Sequence, residues 1–314
     1  MTFSNENSPT NENLFCVNNS ISEDSDINEP DPSKTLKHLK IKNINRLIIG
    51  HLNINSISTK FKSLKEIVQD YIDILVISET KLDESYSLNI FDIEGYATPF
   101  RRDRIANCGG GVLIYVKEGI LCRELKPKSH FENLEGIFLE INLRKNKWLI
   151  FGGYNNHKSN INTFLGSIGH ILDNHICNFE NLILLGDFNS EITEDPMKIF
   201  CDTYNLHNLV TEATCFKNPL NPSLIDLILT NRSKSFINTV VLETGLSDHH
   251  KMTVTVMKTF VPKQGPVLNI EIIESSTAKH LSKRFNIIFQ SLMIIHVMTN
   301  LKTHLRKPWT NMHL

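Results

Sequence analysis

The chain is built on short leucine-rich and β-branched runs, and almost every run stops on a polar side chain. In order they read "RLIIGHLNI", "DILVISET", "GGVLIYV", "EGIFLEINL", "KWLIFGGY", "NLILLGDF", "LIDLILT", "TVVLET" and "KMTVTVM". Apolar runs of this length between turn residues predict strands, and several are too apolar to leave a face in water. A strand buried on both faces must lie in a covered sheet, so the chain is constrained to a layered fold around a large core. A length of 314 residues with 40% hydrophobic side chains is enough for such a core.

Stretches of helical period separate the runs. In "STKFKSLKEIVQDY" and "NINTFLGSIGHILDNHI" apolar residues recur at i, i+3, i+4 and i+7, and each has Ser or Asn where an N-cap belongs. "DPMKIFCDTYNLHNLV" predicts a third helix, with Pro196 acceptable in the first turn after Asp195. Strands outnumber helices, so packed sheets with helices outside are expected, and no internal repeat is evident. Residues 1–44, rich in Asn, Ser, Glu, Asp and Pro, read as a disordered polar tail. Residues 45–258 read as one domain, and residues 259–314 as a linker-like tail, partly helical around 278–298.

Charge and cysteine usage exclude several classes. A formal net charge of −1 and a pI near 6.9 give no global basic field, so any contact with nucleic acid must be local. The best local patch is "RRDR", with Arg101, Arg102 and Arg104, followed by Lys126 and Lys128. The 6 cysteines show no C-x-x-C spacing, which favours reduced thiols in a nuclear or cytoplasmic protein over a zinc ribbon or disulfide framework. No secretory pattern opens the chain, and "FNIIFQSLMIIHVM" is shorter than the roughly 20 apolar residues of a membrane span. No membrane insertion and no stable protein partner are expected.

The polar ends of the strands carry the chemistry. Asn53 and Asn55 follow "LIIGHL", Glu79 closes "DILVISET", Tyr154 and Asn155 follow "WLIFGG", and Asp187 and Asn189 follow "NLILLG". Asp226 lies within "SLIDLILT", and Ser247, Asp248, His249 and His250 precede "KMTVTV". Singly, each has an ordinary explanation, since Asn, Asp and Ser are common turn residues. Jointly they predict one rim of a sheet assembly where the ends converge. Period 2 predicts Asp187 and Asn189 on one face and Phe188 on the other. A carboxylate such as Asp226, flanked by apolar residues, needs a partner. If His249 faces it, the aspartate would orient the ring and favour the cation that donates to a phosphate oxygen. Glu79 with Asn53 offers hard oxygen donors suited to Mg²⁺, and there is no thiolate or multi-histidine cage for zinc. Asp187 can take a proton from water, Asn189 can orient that water, and Tyr154 can hydrogen-bond a phosphate. Phosphodiester hydrolysis uses all of them.

These motifs, "HLNIN", "ISETKLD", "GGGVLIYV", "LLGDFNSE", "IDLILTN" and "LSDHH", resemble in order and spacing the endonuclease/exonuclease/phosphatase superfamily. Within it they look most like the apurinic-type endonuclease domain of non-LTR, LINE-like retrotransposons, over about residues 46–258. The resemblance implies a four-layered α-β-β-α sandwich of two mixed sheets flanked by helices. It also implies a divalent metal, Mg²⁺ with Mn²⁺ as a substitute, and DNA as substrate. By matching motif it implies that Glu79 is the principal metal ligand with Asn53 nearby, and that Asp187 and Asn189 align nucleophile and phosphate. Asp226 and His249 correspond to the acid-histidine dyad, Asp248 to a metal-side or structural acid, and Thr214 in "EATCF" to a residue approaching the phosphate.

Three departures stand out. "YNNHKSN" replaces the family's proline-rich "Y-R-P-P" turn, so Tyr154 stays while the neighbouring basic contact is lost. "SDHH" leaves His249 and His250 as alternatives, adjacency to Asp248 favouring His249. No reverse-transcriptase domain follows, as expected for a truncated or host-retained copy. The competing readings are a phosphatase of the same superfamily acting on a phosphoinositide or sphingolipid, and a catalytically silent relic.

Overall fold

The computed structural model describes residues 31–104, 109–126, 134–143, 146–156, 159–175 and 179–260. Its helices are α1 (Pro32–Lys42), α2 (Phe61–Val68), α3 (Ile161–His175) and α4 (Asp195–Tyr204). Its strands are β1 (Arg46–Asn53), β2 (Ile74–Ser78), β3 (Phe100–Arg102), β4 (Val112–Val116), β5 (Cys122–Leu125) and β6 (Gly136–Leu143). They continue with β7 (Asn146–Tyr154), β8 (Asn181–Asp187), β9 (His207–Asn208), β10 (Asp226–Thr230), β11 (Phe236–Leu242) and β12 (Met252–Phe260). Among the described residues no helix is long and apolar enough to cross a membrane.

The strands form two six-stranded mixed sheets, ordered β11-β12-β1-β2-β4-β3 and β5-β6-β7-β8-β10-β9. Alternation along each strand divides its side chains between two apolar layers. β1 sends Ile48 and Leu52 toward Leu36 and Leu39 of α1 and Leu64 and Val68 of α2, and sends Leu47 and Ile49 into the space between the sheets. β8 likewise sends Ile183 and Leu185 between the sheets, and Leu182 and Leu184 toward Phe164 and Ile168 of α3 and Phe200 of α4. The four-layered α-β-β-α sandwich is therefore present, and it explains why the runs are apolar at successive positions: both faces are covered. At Gly152 a β-carbon would come within 2.8 Å of Ile114 and Val76 of the other sheet, so a larger residue there would push the sheets apart.

The topology gathers one set of strand ends. β1 and β2 run parallel, as do β7 and β8, and each pair is bridged by a crossover carrying α2 or α3. β10 is antiparallel to β8 and β12 to β1, so these strands begin where β8 and β1 finish. The C-terminal ends of β1, β2, β7 and β8 thus lie with the N-terminal ends of β10 and β12, at one rim of both sheets.

Each long run quoted above forms a strand. β3, β5 and β9 were not legible, because all are edge strands of the two sheets, short and without an apolar run. α2 begins after Lys60 with no side-chain cap, whereas Asn160 Oδ1 accepts from the Asn162 N–H at 2.9 Å ahead of α3 as expected. The third helical stretch ends at Tyr204, where Asn205 turns left-handed (φ 51), and His207–Asn208 pairs as a strand instead. The helix expected around 278–298 and Lys128 lie outside the described residues.

The polar segment before residue 45 needs a correction, because its last third folds. Asp31 caps α1, its side chain accepting from the Ser33 N–H, and Pro32 occupies the first turn. Leu36 is fully buried, and Lys40 Nζ meets both carboxylate oxygens of the buried Asp73 at 2.9 Å. Two leucines at i and i+3 were too sparse a signal against so polar a background. Leu36→Ala should accordingly lower stability by about 2–4 kcal/mol in urea unfolding; an unchanged midpoint would mean that α1 does not pack in solution.

Candidate active site

Between the sheets the side chains grade from apolar to polar toward the gathered rim. On β1 the inward series is Leu47, Ile49, His51, Asn53; on β2 it is Ile74, Val76, Ser78; on β8 it is Ile183, Leu185, Asp187. Asp226, the first residue of β10, faces the same space as Ile228 and pairs in register with Asp187. Two carboxylates, 1% and 0% exposed, therefore sit opposite one another on neighbouring strands.

Each has its own partners. Asn53 Nδ2 donates to Asp187 Oδ2 and to Glu79 Oε1, both at 2.9 Å, so one amide joins the ends of β1, β2 and β8. The Asn189 N–H donates to Asp187 Oδ1 at 2.9 Å. Burial first, and then the neighbouring charge of Asp226, raise the Asp187 carboxyl well above the usual carboxylate range. Asp226 Oδ2 lies 2.9 Å from His250 Nδ1, and His250 Nε2 lies 3.8 Å from the Cys215 thiol. Burial works against a charged His250 ring, but the Asp226 contact, assisted by Cys215 and by the charges of Asp226 and Asp187, raises its pKa far above that of an ordinary histidine. The cationic form of His250 is thereby favoured.

The ring that meets Asp226 is His250, which corrects the expectation for His249. An antiparallel bridge between Cys215 and His250 orders this segment, with the Phe216 N–H bonded to the His249 carbonyl at 2.7 Å and the Lys251 N–H to Thr214 at 2.8 Å. His250 is the residue held in that bridge, and its ring is the one that reaches Asp226. His249 borders the cavity, its ring centroid 5.5 Å from that of His250. Register with the segment around Cys215 makes the choice, and adjacency to Asp248 carries no information about it.

Above these groups opens a cavity of about 590 Å³, bordered by Asn53, Glu79, Tyr154, Asp187, Asn189 and His250 among others. Glu79 and Asn189 both occupy the left-handed region, at φ 51 and φ 47, a costly conformation for non-glycine residues. This corrects the strand-parity argument for Asn189. β8 stops at Asp187, and a left-handed turn, not alternation, points Asn189 into the cavity, where its Nδ2 donates to the Asn155 carbonyl at 2.6 Å. Phe188 does go the other way, into the layer under α3 and α4. Within β8, Gly186 (φ 154) lets the strand approach β7 closely, since a β-carbon there would fall 2.0 Å from the Gly153 carbonyl oxygen. Tyr154 is nearly buried, and burial followed by the charges of Glu79 and Asp187 raises its pKa, so its hydroxyl keeps its proton.

Other expected residues lie elsewhere. Thr214 is fully buried, and its hydroxyl accepts from the Asp226 N–H at 3.0 Å and the Ile225 N–H at 3.3 Å, so it braces the start of β10 while its neighbour Cys215 borders the cavity. Asp248 is half exposed and faces Lys60 at 3.4 Å and the Asn55 amide. The "RRDR" arginines turn inward. Arg101 is held by Asp103 at 2.7–2.8 Å and by the Tyr86 carbonyl, Arg102 Nε by the Leu134 carbonyl at 2.8 Å, and Arg104 Nε by Glu135 at 2.6 Å. These contacts tie β3 and the residues just after it to Tyr86, Leu134 and Glu135, and Arg104 also lies over the Tyr154 ring at 5.7 Å, which corrects the expectation of an outward basic patch.

Sequence reasoning passed over His51, Ser78 and Cys215. Strand parity held the signal for two of them, because His51 shares a face with Asn53 and Ser78 shares one with Val76. His51 is fully buried, and burial, only partly opposed by the charge of Asp226, lowers its pKa to about 4.

The oxygen donors fit a hard divalent cation. Among the described residues, Asp187, Asp226 and His250 place ligand-type atoms within 4.8 Å of one another, and the carboxylates of Glu79 and Asp187 share the Asn53 amide beside them. Glu79 is the more open of the two, with a side chain 21% exposed and Lys81 at 3.8 Å, so a cation reaching it from the cavity need not enter the sealed interior.

The comparisons with known proteins agree with this architecture. Among solved structures, the endonuclease domain of TRAS1, a telomere-specific non-LTR retrotransposon, superposes with a TM-score of 0.53 at 14% identity, over 69% of this chain and 100% of that one. The AP endonuclease LMAP from Leishmania major gives 0.58 at 13% identity, over 68% and 88%. The 3′ phosphatase NExo from Neisseria, bound to product DNA hairpin, gives 0.52 at 14% identity, over 67% and 99%. At such identities the likeness is one of fold. No curated protein sequence matches. A model of the Endonuclease/Exonuclease/phosphatase family, however, matches residues 50–249, from the strand that carries Asn53 to the "SDHH" segment, and this chain belongs to that family.

Proposed function

We propose that the chain is a divalent-metal-dependent phosphodiester hydrolase that nicks DNA and leaves a 3′-hydroxyl. The observation that carries the proposal is the joint placement of Asp187, the Asp226–His250 pair and the Glu79–Asn53 pair on one open cavity. Asp187, held by Asn53 and by the Asn189 N–H, takes the proton of an attacking water, and the Asn189 amide orients that water or a phosphate oxygen. The protonated His250 ring, fixed through Nδ1 by Asp226, turns Nε2 toward a non-bridging phosphate oxygen and leaves only a long thiol contact to do so. The Tyr154 hydroxyl donates to the same phosphate. Glu79 and Asn53 would hold Mg²⁺ or Mn²⁺, which supplies charge neutralisation at the phosphate when bound. Thr214 and Asp248 act here as braces for β10 and for the Asn55 loop.

The cavity's outer wall suits contact with a duplex beyond the scissile phosphate. Lys217, Asn218 and Asn221 border the cavity, and between them Leu220 stands 97% exposed. An apolar side chain between two prolines on an exposed loop suits wedging against a base step or groove.

Supercoiled-plasmid nicking by the full chain should therefore require Mg²⁺ or Mn²⁺ and stop in EDTA. His250→Ala should lower the rate by about 100-fold or more, while His249→Ala should cost no more than about tenfold. The reverse order would restore His249 to the dyad. Release of phosphate from a phosphoinositide without nicking would favour the phosphatase reading.

Calorimetric titration of Mg²⁺ should give saturable binding that Glu79→Ala abolishes, with the thermal unfolding midpoint kept within about 4 °C of the parent. Retained binding would move the metal away from Glu79. Leu220→Ser should lower duplex nicking several-fold relative to hydrolysis of bis(p-nitrophenyl) phosphate. An unchanged ratio would remove the loop from DNA recognition.

A further inference from the structure

Behind the Asp226–His250 pair stands a second histidine for which the mechanism above has no use. His51 leaves β1 into the space between the sheets, and its Nδ1 lies 3.6 Å from Asp226 Oδ1, the oxygen that His250 does not use. On the other side, His51 Nε2 lies 3.0 Å from the hydroxyl of Ser78 on β2. Both residues flanking the gap are 0% exposed. His51 Nδ1 and Asp226 Oδ1 are each buried without a hydrogen-bond partner, and they face one another. Buried polar atoms are very seldom left unpaired, so two orphans in register across a small gap form a hydrogen bond once the gap closes by a fraction of an ångström.

For a neutral imidazole facing an ionised carboxylate, one arrangement of protons makes the whole set consistent. A carboxylate can only accept, so His51 must present Nδ1–H to Asp226. Nε2 is then an acceptor, and the Ser78 hydroxyl donates to it. We infer that His51 is a positioning residue, and that Ser78, His51, Asp226 and His250 form one hydrogen-bonded row running from β2 across the sheet interface to the cavity. The row holds Asp226 from both oxygens, so its carboxylate cannot rotate away from His250 toward Asp187, its partner across the β8–β10 pair. The contribution is geometric: a fixed Asp226 fixes the plane of His250 and hence the direction of Nε2. This inference rests on the proposed hydrolase reading for its functional meaning, though the row itself does not.

The first test needs no metal and no activity. In the full chain carrying ¹⁵N-labelled histidine, long-range ¹H–¹⁵N correlation separates Nδ1–H from Nε2–H imidazoles, and the His51 signals are assigned by their loss in His51→Gln. The expected result is an Nδ1–H ring, the opposite of the tautomer that a free neutral imidazole prefers. An Nε2–H ring would overturn the row, because it would turn a lone pair toward the carboxylate. The second test is kinetic. His51→Leu fills the space without a donor, and should lower kcat for plasmid nicking about tenfold while leaving KM within about twofold. His51→Gln, whose carboxamide can donate to Asp226, should recover most of that loss. Equal losses in Leu and Gln, or none in Leu, would reduce His51 to a packing residue. If His51→Leu does not fold, the tautomer of the unmodified chain still decides. A chain with an Nδ1–H ring that never nicks DNA would sink the proposed activity and leave the row standing, whereas a nicking chain with an Nε2–H ring would sink the row alone.

Discussion

Two buried carboxylates opposite each other on neighbouring strands set the terms for everything around them. The β8–β10 register brings Asp187 and Asp226 together at the end of an otherwise apolar layer, where two like charges would destabilise the sheet they belong to. The surrounding residues sort them. Asp226 is matched by the cationic His250, and Asp187 is bonded by Asn53 and the Asn189 N–H while its own ionisation is made harder. Neighbouring carboxylates given such different partners are the arrangement from which acid-base chemistry is built. It is also a standing cost to stability, and the large apolar layers on either side offset it.

The rest of the site follows from how two sheets are closed. Parallel pairs at the centre of each sheet, with a helical crossover apiece, send strand ends to one rim, and the antiparallel β10 and β12 start there. The strands themselves deliver Asn53, Tyr154, Asp187 and Asp226, and the segments leading into β10 and β12 add Cys215, Lys217 and His250. At this rim the backbone turns irregular just past the strands, where Asn55, Ser56, Glu79, Lys81 and Asn189 all take positive φ. A rigid mount carries the acid, and a strained turn aims its neighbour.

Much of this was legible in the residues. Apolar runs too continuous for a solvated face announced covered sheets, and polar residues repeated at their ends announced a common rim. Where legibility failed, a local cause can be named. β3, β5 and β9 lie at sheet edges with little to bury, so they carry no hydrophobic signature. α1 rests on Leu36 and Leu39 and on a contact between Lys40 and Asp73, residues 33 positions apart that no window joins. The "RRDR" segment reads as an exposed charge cluster until Asp103, Glu135 and the carbonyls of Tyr86 and Leu134 are seen to receive it.

The sequence by itself determined packed sheets with helices outside, the nine-run scaffold and the short list of polar residues available at its rim, and the resemblance implied the four-layered α-β-β-α order. Hydrophobic periodicity is a local property, and each strand and helix displays its own. Which of those polar residues meet was decided only by the tertiary structure. His250 in place of His249 depends on an antiparallel bridge to Cys215, 35 residues away, and the bracing of Asp226 by Thr214 depends on the same bridge region. His51 looks like one more residue in an apolar strand until β10, from the other sheet, sets Asp226 against it. Contacts between residues far apart in the chain exist only after the sheets have packed, because burial, which orients and charges these groups, is a property of the assembled layers and of no single run.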